Sequence, residues 1–246
     1  MSLIDRISNV EQGTIDWFRL RAGVLTASRM DKVCTPAKME YASGADTLIN
    51  QLAAEVYLPG APEAIGSYTS RAMENGIETE AEARSKFTYI YELDIQEVGF
   101  IRSECGRFGC SPDGLIVDKN GEFVGGLELK CPMPHTHIGY MRHPADLLKA
   151  YKLQVHGSLL VSGLPYWILM SYFPGLDPVI IRVEPDKTTE ILGEVLEIFW
   201  QDWLTAKTLL STKGICFDPP VIEPQQSPVS PDEMTEDQIT DDLGFE

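Results

Sequence analysis

The stretch that decides the fold is Ser111-Pro112-Asp113-Gly114 together with Gly126-Leu127-Glu128-Leu129-Lys130, which begins fourteen residues after Pro112. Glu128 and Lys130 are two positions apart, so on a β-strand their side chains project from one face. The two leucines between and before them mark the opposite face as buried. Asp113 starts the neighbouring strand, so a hairpin brings it to the same point as the other two polar residues.

Side chains of this kind predict a metal-dependent hydrolytic site. Two carboxylates in one place, here Asp113 and Glu128, repel each other unless a cation joins them. Their hard oxygen atoms suit Mg²⁺, and Mn²⁺ is expected to substitute. Lys130 beside them can orient or deprotonate a water molecule, or stabilise an anionic transition state. This equipment favours hydrolysis of a phosphodiester, although each half of the pattern alone is common in structural strands and turns.

The surrounding sequence predicts alternating helices and strands. The predicted helices are 46–58, 74–89, 146–161 and 186–210, and the predicted strands are 93–101, 109–117, 123–130, 166–172 and 179–184. Gly106 and Asn120-Gly121 separate the first three strands and suit an antiparallel meander. The order predicts an α/β fold in which a mixed central sheet is flanked by helices.

Composition restricts the class of protein. Of 246 residues, 43% are apolar and 23% are charged, which is ordinary for a soluble globular chain. The formal net charge of −17 argues against binding DNA or a membrane through a broad basic surface. A nuclease can nevertheless confine its positive charge to a channel. We expect a cytoplasmic protein, because no run of about 18 apolar residues and no signal peptide is present, and because the five cysteines form no Cys-x-x-Cys pair.

The acidity is concentrated in residues 218–246, which hold nine acidic residues, five prolines and no lysine or arginine. Such a segment cannot bury enough apolar surface to offset the entropy of ordering it. The sequence therefore predicts a folded domain over residues 1–216 and a disordered, acidic, proline-rich tail over 217–246. The segment Asp241–Glu246 resembles the acidic tip of bacterial single-stranded-DNA-binding proteins, so the tail is expected to bind a recombination partner. The alternative is a solubilising tail.

The order of Pro112-Asp113 and Glu128-Leu129-Lys130 resembles the PD-(D/E)xK nuclease superfamily, and the chain as a whole resembles the lambda exonuclease and YqaJ-like viral recombinase family. Six blocks, from about residue 11 to about residue 210, carry the resemblance in the family order. They are Glu11-Gln12-Gly13 with Trp17, then Leu20-Arg21-x-Gly23-Val24-x-Thr26-Ala27-Ser28, Gly76-x-x-x-Glu80-x-x-Ala83-Arg84, Cys110-Ser111-Pro112-Asp113-Gly114, Leu127-Glu128-Leu129-Lys130-Cys131-Pro132, and Tyr151-x-x-Gln154-Val155.

This resemblance implies a restriction-endonuclease-like core and a role for each matched residue. Asp113, Glu128 and the Leu129 carbonyl would bind metal, and Lys130 would position the attacking water. Glu80 would point from its helix toward a second metal ion, although its helix carries three further glutamates that favour a solvated face.

Three more matched residues would complete the site. Gln154 would line it, and Arg21 and Ser28 would hold the 5′-phosphate of the recessed strand, since a guanidinium fork fits a terminal phosphate. The alternative is that Arg21 is a surface arginine and Ser28 a helix cap. His135 and His137 follow the site in a proline-rich loop and are either contacts to DNA or metal, or merely polar.

The resemblance implies a Mg²⁺-dependent 5′-to-3′ exonuclease that acts on ends of double-stranded DNA, in a bacterial or phage-infected cell. It would leave a 3′ overhang for a single-strand annealing protein. The family's homotrimeric ring would let a local basic lining meet a threaded duplex. The alternatives are a restriction-type endonuclease of the same superfamily and a non-catalytic DNA-processing interaction module.

Overall fold

The computed structural model describes residues 2–58 and 71–217, with side chains from residue 79 onward in the second range. Apart from Phe217, the predicted acidic tail lies outside the described residues. Within those two ranges no helix combines the length and the apolar character that a membrane crossing requires.

Six helices and nine strands are described, in agreement with a mixed α/β fold. The helices are α1 (Ile15–Arg21), α2 (Ala45–Tyr57), α3 (Arg71–Tyr91), α4 (Pro134–Arg142), α5 (Pro144–Ser162) and α6 (Lys187–Ser211), and Ala27–Lys32 is a 3-10 helix. The strands are β1 (Ile7–Ser8), β2 (Leu25–Thr26), β3 (Asp94–Gln96), β4 (Phe100–Arg102), β5 (Phe108–Cys110), β6 (Gly114–Val117), β7 (Phe123–Lys130), β8 (Trp167–Ser171) and β9 (Val179–Val183).

A five-stranded sheet in the order β3-β6-β7-β8-β9 forms the centre of the fold. The pair β7 and β8 is parallel and the other pairs are antiparallel, so the sheet is mixed as predicted. One face buries Leu127 and Leu129 against Ala83 and Phe87 of α3. The other face lies against α5, on which α6 packs in turn. Glu128 and Lys130 therefore project on the α5 side, opposite the buried leucines, as the alternation of the strand predicts.

The predicted strands 93–101 and 109–117 were wrong as single elements. Each is two strands, because the chain passes between the five-stranded sheet and a second sheet in the order β1-β4-β5-β2. It enters the second sheet at β4 and returns to the first at β6. At Gly99 the backbone approaches Val10 so closely that a Cβ atom would lie 1.8 Å from the Val10 carbonyl oxygen. Pro112, at the other crossing, has no N–H to donate to a ladder. Asp113 consequently occupies a turn between two sheets.

The helix α5 links the five-stranded sheet to the 3-10 helix Ala27–Lys32. A Cβ atom on Gly157 would lie 2.3 Å from the sulfur of Met30 and 3.2 Å from the Cβ of Ala27, so only glycine allows this approach. Gly163, with φ of 75°, ends the helix in the left-handed conformation. This arrangement fixes Ser28 and Gln154 relative to each other.

The proline-rich loop predicted around His135 and His137 is instead helix α4. Pro134 occupies its first turn, where a missing N–H costs nothing and the fixed φ is already helical. His137 is fully buried, with Nδ1 2.8 Å from Ser171 Oγ and Nε2 3.1 Å from the Asp177 carbonyl oxygen. A carbonyl only accepts, so Nε2 donates. His137 thus joins α4 to the end of β8, and His135 is exposed.

Candidate active site

The structure brings Asp113, Glu128 and Lys130 together at the end of β7. The Lys130 ammonium donates to Glu128 Oε1 at 2.7 Å, and Glu128 is only 4% exposed. The Asp113 carboxylate accepts a hydrogen bond from the Leu129 N–H at 2.5 Å, while the Asp113 N–H donates to the Leu127 carbonyl at 3.1 Å. Glu128 therefore lies on β7, and Asp113 is held by the backbone of the residues on either side of Glu128.

Burial and proximity shift the protonation equilibria of these groups. Desolvation, and then the charge of Glu128, raise the pKa of Asp113 well above its usual range. Burial disfavours the Lys130 ammonium, but the charge and hydrogen bond of Glu128, with Asp113, outweigh that effect and raise the pKa of Lys130 to about 12. Lys130 is thus a cation at neutral pH.

The donor set fits a hard divalent cation. The Lys130 carbonyl accepts a hydrogen bond from the Tyr172 N–H on the β8 side of the strand. Successive carbonyls of a strand alternate in direction, so the Leu129 carbonyl points to the other side, where the Asp113 carboxylate lies. Two carboxylates and one carbonyl supply oxygen ligands to which water molecules can be added. Within residues 2–58 and 79–217 no three acidic, histidine or cysteine side chains are already grouped around one point. A cation would also offset the charge repulsion that raises the pKa of Asp113.

Glu80 lies on α3 beside this site. Burial raises its pKa, with a smaller upward effect from Glu128, while the charges of Lys130 and Arg84 lower it. Glu82 is exposed and accepts a hydrogen bond from Tyr172. Glu80 is thus within electrostatic reach of Lys130 and Glu128, as its position in the matched block implies. The side chains of the helix's two earlier glutamates are outside the described residues.

A cavity of about 130 Å³ adjoins the carboxylates. Gln154 belongs to its wall and donates to Glu128 Oε1 at 2.5 Å, so the cavity and the carboxylate pair share one side chain. Tyr151 lies on the same helix as Gln154, and the centre of its ring is 4.6 Å from the Lys130 ammonium. The lining residues are Gln12, Trp17, Arg21, Ala27, Ser28, Cys110, Ser111, Gln154 and Ser158.

Arg21 and Ser28 lie on the wall of this cavity. The Arg21 guanidinium stacks on Trp17 at 3.8 Å, and burial lowers its pKa to about 10, against an opposing effect of Glu55. Arg21 is therefore a half-buried cation, not a surface arginine. Ser28 is exposed to the cavity and lies inside the 3-10 helix, one residue beyond its first, so the helix-cap alternative is wrong.

Sequence reasoning did not single out four polar or polarisable residues of the cavity wall: Gln12, Cys110, Ser111 and Ser158. Gln12, Cys110 and Ser111 stand in the matched blocks, close to residues for which the resemblance implies a role. Their place in these blocks was the available signal. Ser158 is four residues after Gln154 on α5, so it lies on the same helical face. The helical spacing could have identified it.

A family model described as the YqaJ-like viral recombinase domain matches residues 16–165 of the chain. No curated protein sequence matches the chain significantly. Two crystal structures of LHK-Exo, an alkaline exonuclease from Laribacter hongkongensis, are similar, one of them in complex with dAMP. They are 27% and 25% identical, have TM-scores of 0.66 and 0.62, and cover 82% and 81% of this chain and 98% and 99% of their own.

A phage-related exonuclease from Haemophilus somnus 129PT has a TM-score of 0.56 at 12% identity, covering 77% of this chain and 96% of its own, and shows the fold alone. These comparisons confirm the predicted restriction-endonuclease-like α/β fold and support the predicted enzyme class, a DNA exonuclease. The family model spans more than half of the 246 residues. The chain therefore belongs to the YqaJ-like viral recombinase domain family.

Proposed function

We propose that the chain is a Mg²⁺-dependent exonuclease that degrades the 5′-ended strand of linear double-stranded DNA and leaves a 3′ single-stranded overhang. The observation that carries the proposal is the contact of Gln154. Its amide lines the cavity that holds Arg21 and Ser28, and it donates to Glu128 Oε1 at 2.5 Å. A terminal phosphate in the cavity would therefore lie next to the carboxylates of the hydrolytic site.

Each residue at the carboxylate pair has a chemical role in this proposal. Asp113, Glu128 and the Leu129 carbonyl would hold Mg²⁺, which when bound supplies Lewis-acid stabilisation of the phosphate charge. The Lys130 ammonium donates to Glu128 Oε1 at 2.7 Å, beside the proposed metal ligands. Lys130 would orient the attacking water and stabilise the anionic transition state.

The cavity would select the end of the strand. The planar guanidinium of Arg21 lies over the Trp17 ring, and the Ser28 side chain lines the same space. A fork of N–H donors with a hydroxyl fits the oxygen atoms of a terminal phosphate. A pocket for a chain end is of no use in internal cleavage, so it favours an exonuclease over a restriction-type endonuclease. LHK-Exo, one of the similar structures, has been crystallised with dAMP, a deoxynucleoside monophosphate.

The proposal extends to the second ion and the partners. Glu80 would serve a second Mg²⁺, and Mn²⁺ would substitute for either ion. A homotrimeric ring around the duplex would supply a local basic lining inside an acidic protein, and a single-strand annealing protein would take the overhang. We expect this activity in the cytoplasm of a bacterial or phage-infected cell.

One assay tests the proposal. Linear duplexes with a label at either the 5′ or the 3′ end, and with 5′-phosphate or 5′-hydroxyl termini, are digested with Mg²⁺ and with EDTA, beside a closed circular duplex. We expect Mg²⁺-dependent loss of the 5′-ended strand, faster from 5′-phosphate, and an intact circle. A nicked circle would instead identify an endonuclease, and no cleavage in Mg²⁺ or Mn²⁺ would identify a non-catalytic module.

A further inference from the structure

Asp113 stands in a turn between two sheets, so no ladder fixes the backbone on its N-terminal side, whereas Gly114 on its other side already pairs with Leu127. Its N–H is held by the Leu127 carbonyl, and its carboxylate by the Leu129 N–H. The carbonyl oxygens of Pro112 and Asp113 are each held by a side chain from elsewhere in the chain. Two side chains therefore help to hold the peptide units on both sides of Asp113, in addition to the contacts with β7.

Gln12 holds the first of these carbonyls. Its Nε2 atom lies 3.0 Å from the Pro112 carbonyl oxygen and 3.0 Å from the Val98 carbonyl oxygen. An amide nitrogen carries two hydrogens, so one is available for each acceptor. Val98 and Pro112 stand at the two places where the chain crosses between the sheets. Gln12 thus ties both crossings together, on the wall of the cavity that contains Arg21.

Arg84 holds the second carbonyl. Its Nε atom donates to the Asp113 carbonyl oxygen at 2.9 Å, and its Nη1 atom lies 3.0 Å from Glu97 Oε1 in the other crossing. The Arg84 side chain is 19% exposed, so its contact with the Asp113 carbonyl is partly shielded from water, whereas Glu97 is 70% exposed. Arg84 follows Glu80 by four residues on α3 and therefore lies on the same helical face. It connects the helix of Glu80 to the backbone of Asp113.

We propose that Gln12 and Arg84 are positioning residues that hold the carbonyls of Pro112 and Asp113 and thereby keep the Asp113 carboxylate directed toward Glu128. Their importance for cation binding rests on the proposed function. Neither residue would touch the cation, and both would act through the backbone of the turn at Asp113. Without either contact the turn can rotate about its remaining bonds. The result is a weaker divalent-cation site in a protein that is still folded.

Four substitutions test this inference. Gln12→Met keeps side-chain length and Arg84→Met keeps an unbranched apolar stem, and both remove the N–H donors. Arg6→Met is the control, since Arg6 also holds backbone carbonyls, those of Arg102, Val161 and Ser162, none of which belongs to the segment 111–114. Arg84→Lys keeps the charge beside Glu80 and restores one donor, so it should recover part of any loss. The measurements are hydrogen exchange of peptides spanning residues 111–114, Mn²⁺ affinity by electron paramagnetic resonance, and the melting temperature.

We expect exchange in residues 111–114 to rise roughly ten- to hundredfold in Arg84→Met and about three- to tenfold in Gln12→Met, from loss of a charged and a neutral donor respectively. The Kd for Mn²⁺ should rise at least about tenfold in Arg84→Met. Arg6→Met should melt at a lower temperature, with exchange at 111–114 and Mn²⁺ affinity as in the wild type. That contrast separates positioning of Asp113 from general stability.

Unchanged exchange in both donor-free variants would overturn the inference. So would faster exchange with an unchanged Kd for Mn²⁺, because the two side chains would then stabilise the turn without affecting the site. A wild-type protein that neither binds Mn²⁺ nor cleaves DNA would contradict the proposed function instead. In that case, faster exchange in the two variants but not in Arg6→Met would still support the positioning of Asp113.

Discussion

Asp113 carries a carboxylate that is costly to keep ionised in the folded protein. Its pKa is raised by desolvation and by the charge of Glu128, whereas an aspartate in the unfolded chain has a pKa of about 3.9. Below that pH the group is protonated in both states and costs nothing. As the pH rises from there through the raised pKa, the folded state loses stability relative to the unfolded state. The carboxylate therefore lowers the stability of the metal-free protein at neutral and alkaline pH.

We predict that Asp113→Asn raises the melting temperature at pH 8 in EDTA and abolishes Mg²⁺-dependent DNA cleavage. The amide oxygen can still accept the Leu129 N–H, but the buried charge is gone. Mg²⁺ at 100 times its Kd should stabilise the wild type by about 2.7 kcal/mol, or roughly 5–10 °C, and should leave the variant unaffected. Differential scanning fluorimetry with EDTA and with Mg²⁺ measures both effects.

Asp118→Asn is the matched control for this prediction. Asp118 is partly exposed in the turn between β6 and β7, where hydrogen bonds from Glu122 and Asn120 lower its pKa. Its replacement should not stabilise the metal-free protein and should leave the Mg²⁺-induced shift and the cleavage intact. An Asp113→Asn protein that still cleaves DNA at low Mg²⁺ would rule out the assignment of Asp113.

Arg21 gives a second prediction for a single residue. Arg21→Ala should slow digestion of 5′-phosphorylated ends far more than of 5′-hydroxyl ends. A charge-assisted contact contributes about 1.5–3 kcal/mol, so the selective loss should be roughly ten- to hundredfold in kcat/KM. Arg19→Ala is the control on the same helix, because Arg19 is exposed and paired with Asp16. Equal losses on both kinds of end would show that Arg21 has a structural role.

At the scale of elements, the approach of α5 to the 3-10 helix Ala27–Lys32 sets the geometry between cavity and carboxylates. We predict that Gly157→Val lowers the free energy of unfolding by about 1–3 kcal/mol, because Met30 and Ala27 leave no space for the added atoms. It should also reduce the preference for 5′-phosphorylated ends, since Ser28 and Gln154 would move apart. Urea unfolding and the two-substrate assay measure these effects.

A second helical glycine supplies the comparison for Gly157. In α4, a Cβ atom on Gly139 would meet nothing within 4 Å. Gly139→Val should therefore be neutral or slightly stabilising, because glycine has a lower helix propensity than valine. If both variants lost the same stability, crowding at Gly157 would not be the cause.

The sequence predicted elements well where one local pattern determines them. The helix over 146–161 is α5, Pro144–Ser162, and the strand over 123–130 is β7. Prediction from the sequence failed where an element depends on a contact with a residue that is distant along the chain. Gly99 leaves the first sheet because of its contact with Val10, and a local alternation of residues contains no information on that contact. His137 is likewise explained by Ser171, 34 residues away.

Part of the candidate site could be predicted from the sequence, because it too depends on a local pattern. Glu128 and Lys130 are neighbours on one strand, so their spacing alone places them together. The backbone supports of Asp113 were not accessible in that way. Gln12 lies 100 residues from Pro112, and Arg84 lies 29 residues from Asp113, so only the folded chain shows that they hold it.

For the whole molecule, charge is the quantity to be explained. The chain carries −17, and without residues 218–246 it still has 28 acidic against 20 basic residues. A protein of this charge that holds DNA needs a local positive surface, which a closed ring around the duplex provides. We predict a trimer of about three times 27.4 kDa by light scattering with size-exclusion chromatography. A monomer at working concentration would contradict the ring and favour an endonuclease.

The last prediction concerns the boundary between the folded domain and the acidic tail. The Phe217 ring packs edge-on against Trp203, with centroids 5.5 Å apart, and the Lys207 ammonium lies 5.4 Å from the Phe217 ring. Phe217 therefore belongs to the folded part, one residue beyond the boundary predicted from the sequence. A chain truncated after Phe217 should keep its melting temperature and its nuclease activity on naked DNA. A chain truncated after Gly214 should melt at a lower temperature, because Trp203 loses this contact.

The same truncation separates the two interpretations of the tail. Residues 218–246 carry nine acidic residues, and Leu243 and Phe245 are a pair of large apolar side chains within an acidic segment, as binding to a basic, apolar pocket requires. A tail that only repels needs no such pair. A peptide of residues 218–246 should bind a single-strand annealing protein from the same source by calorimetry, and a Leu243→Ser, Phe245→Ser peptide of equal charge should not. Equal affinity of both peptides would indicate a purely electrostatic tail, and loss of nuclease activity on truncation after Phe217 would show that the tail packs on the core.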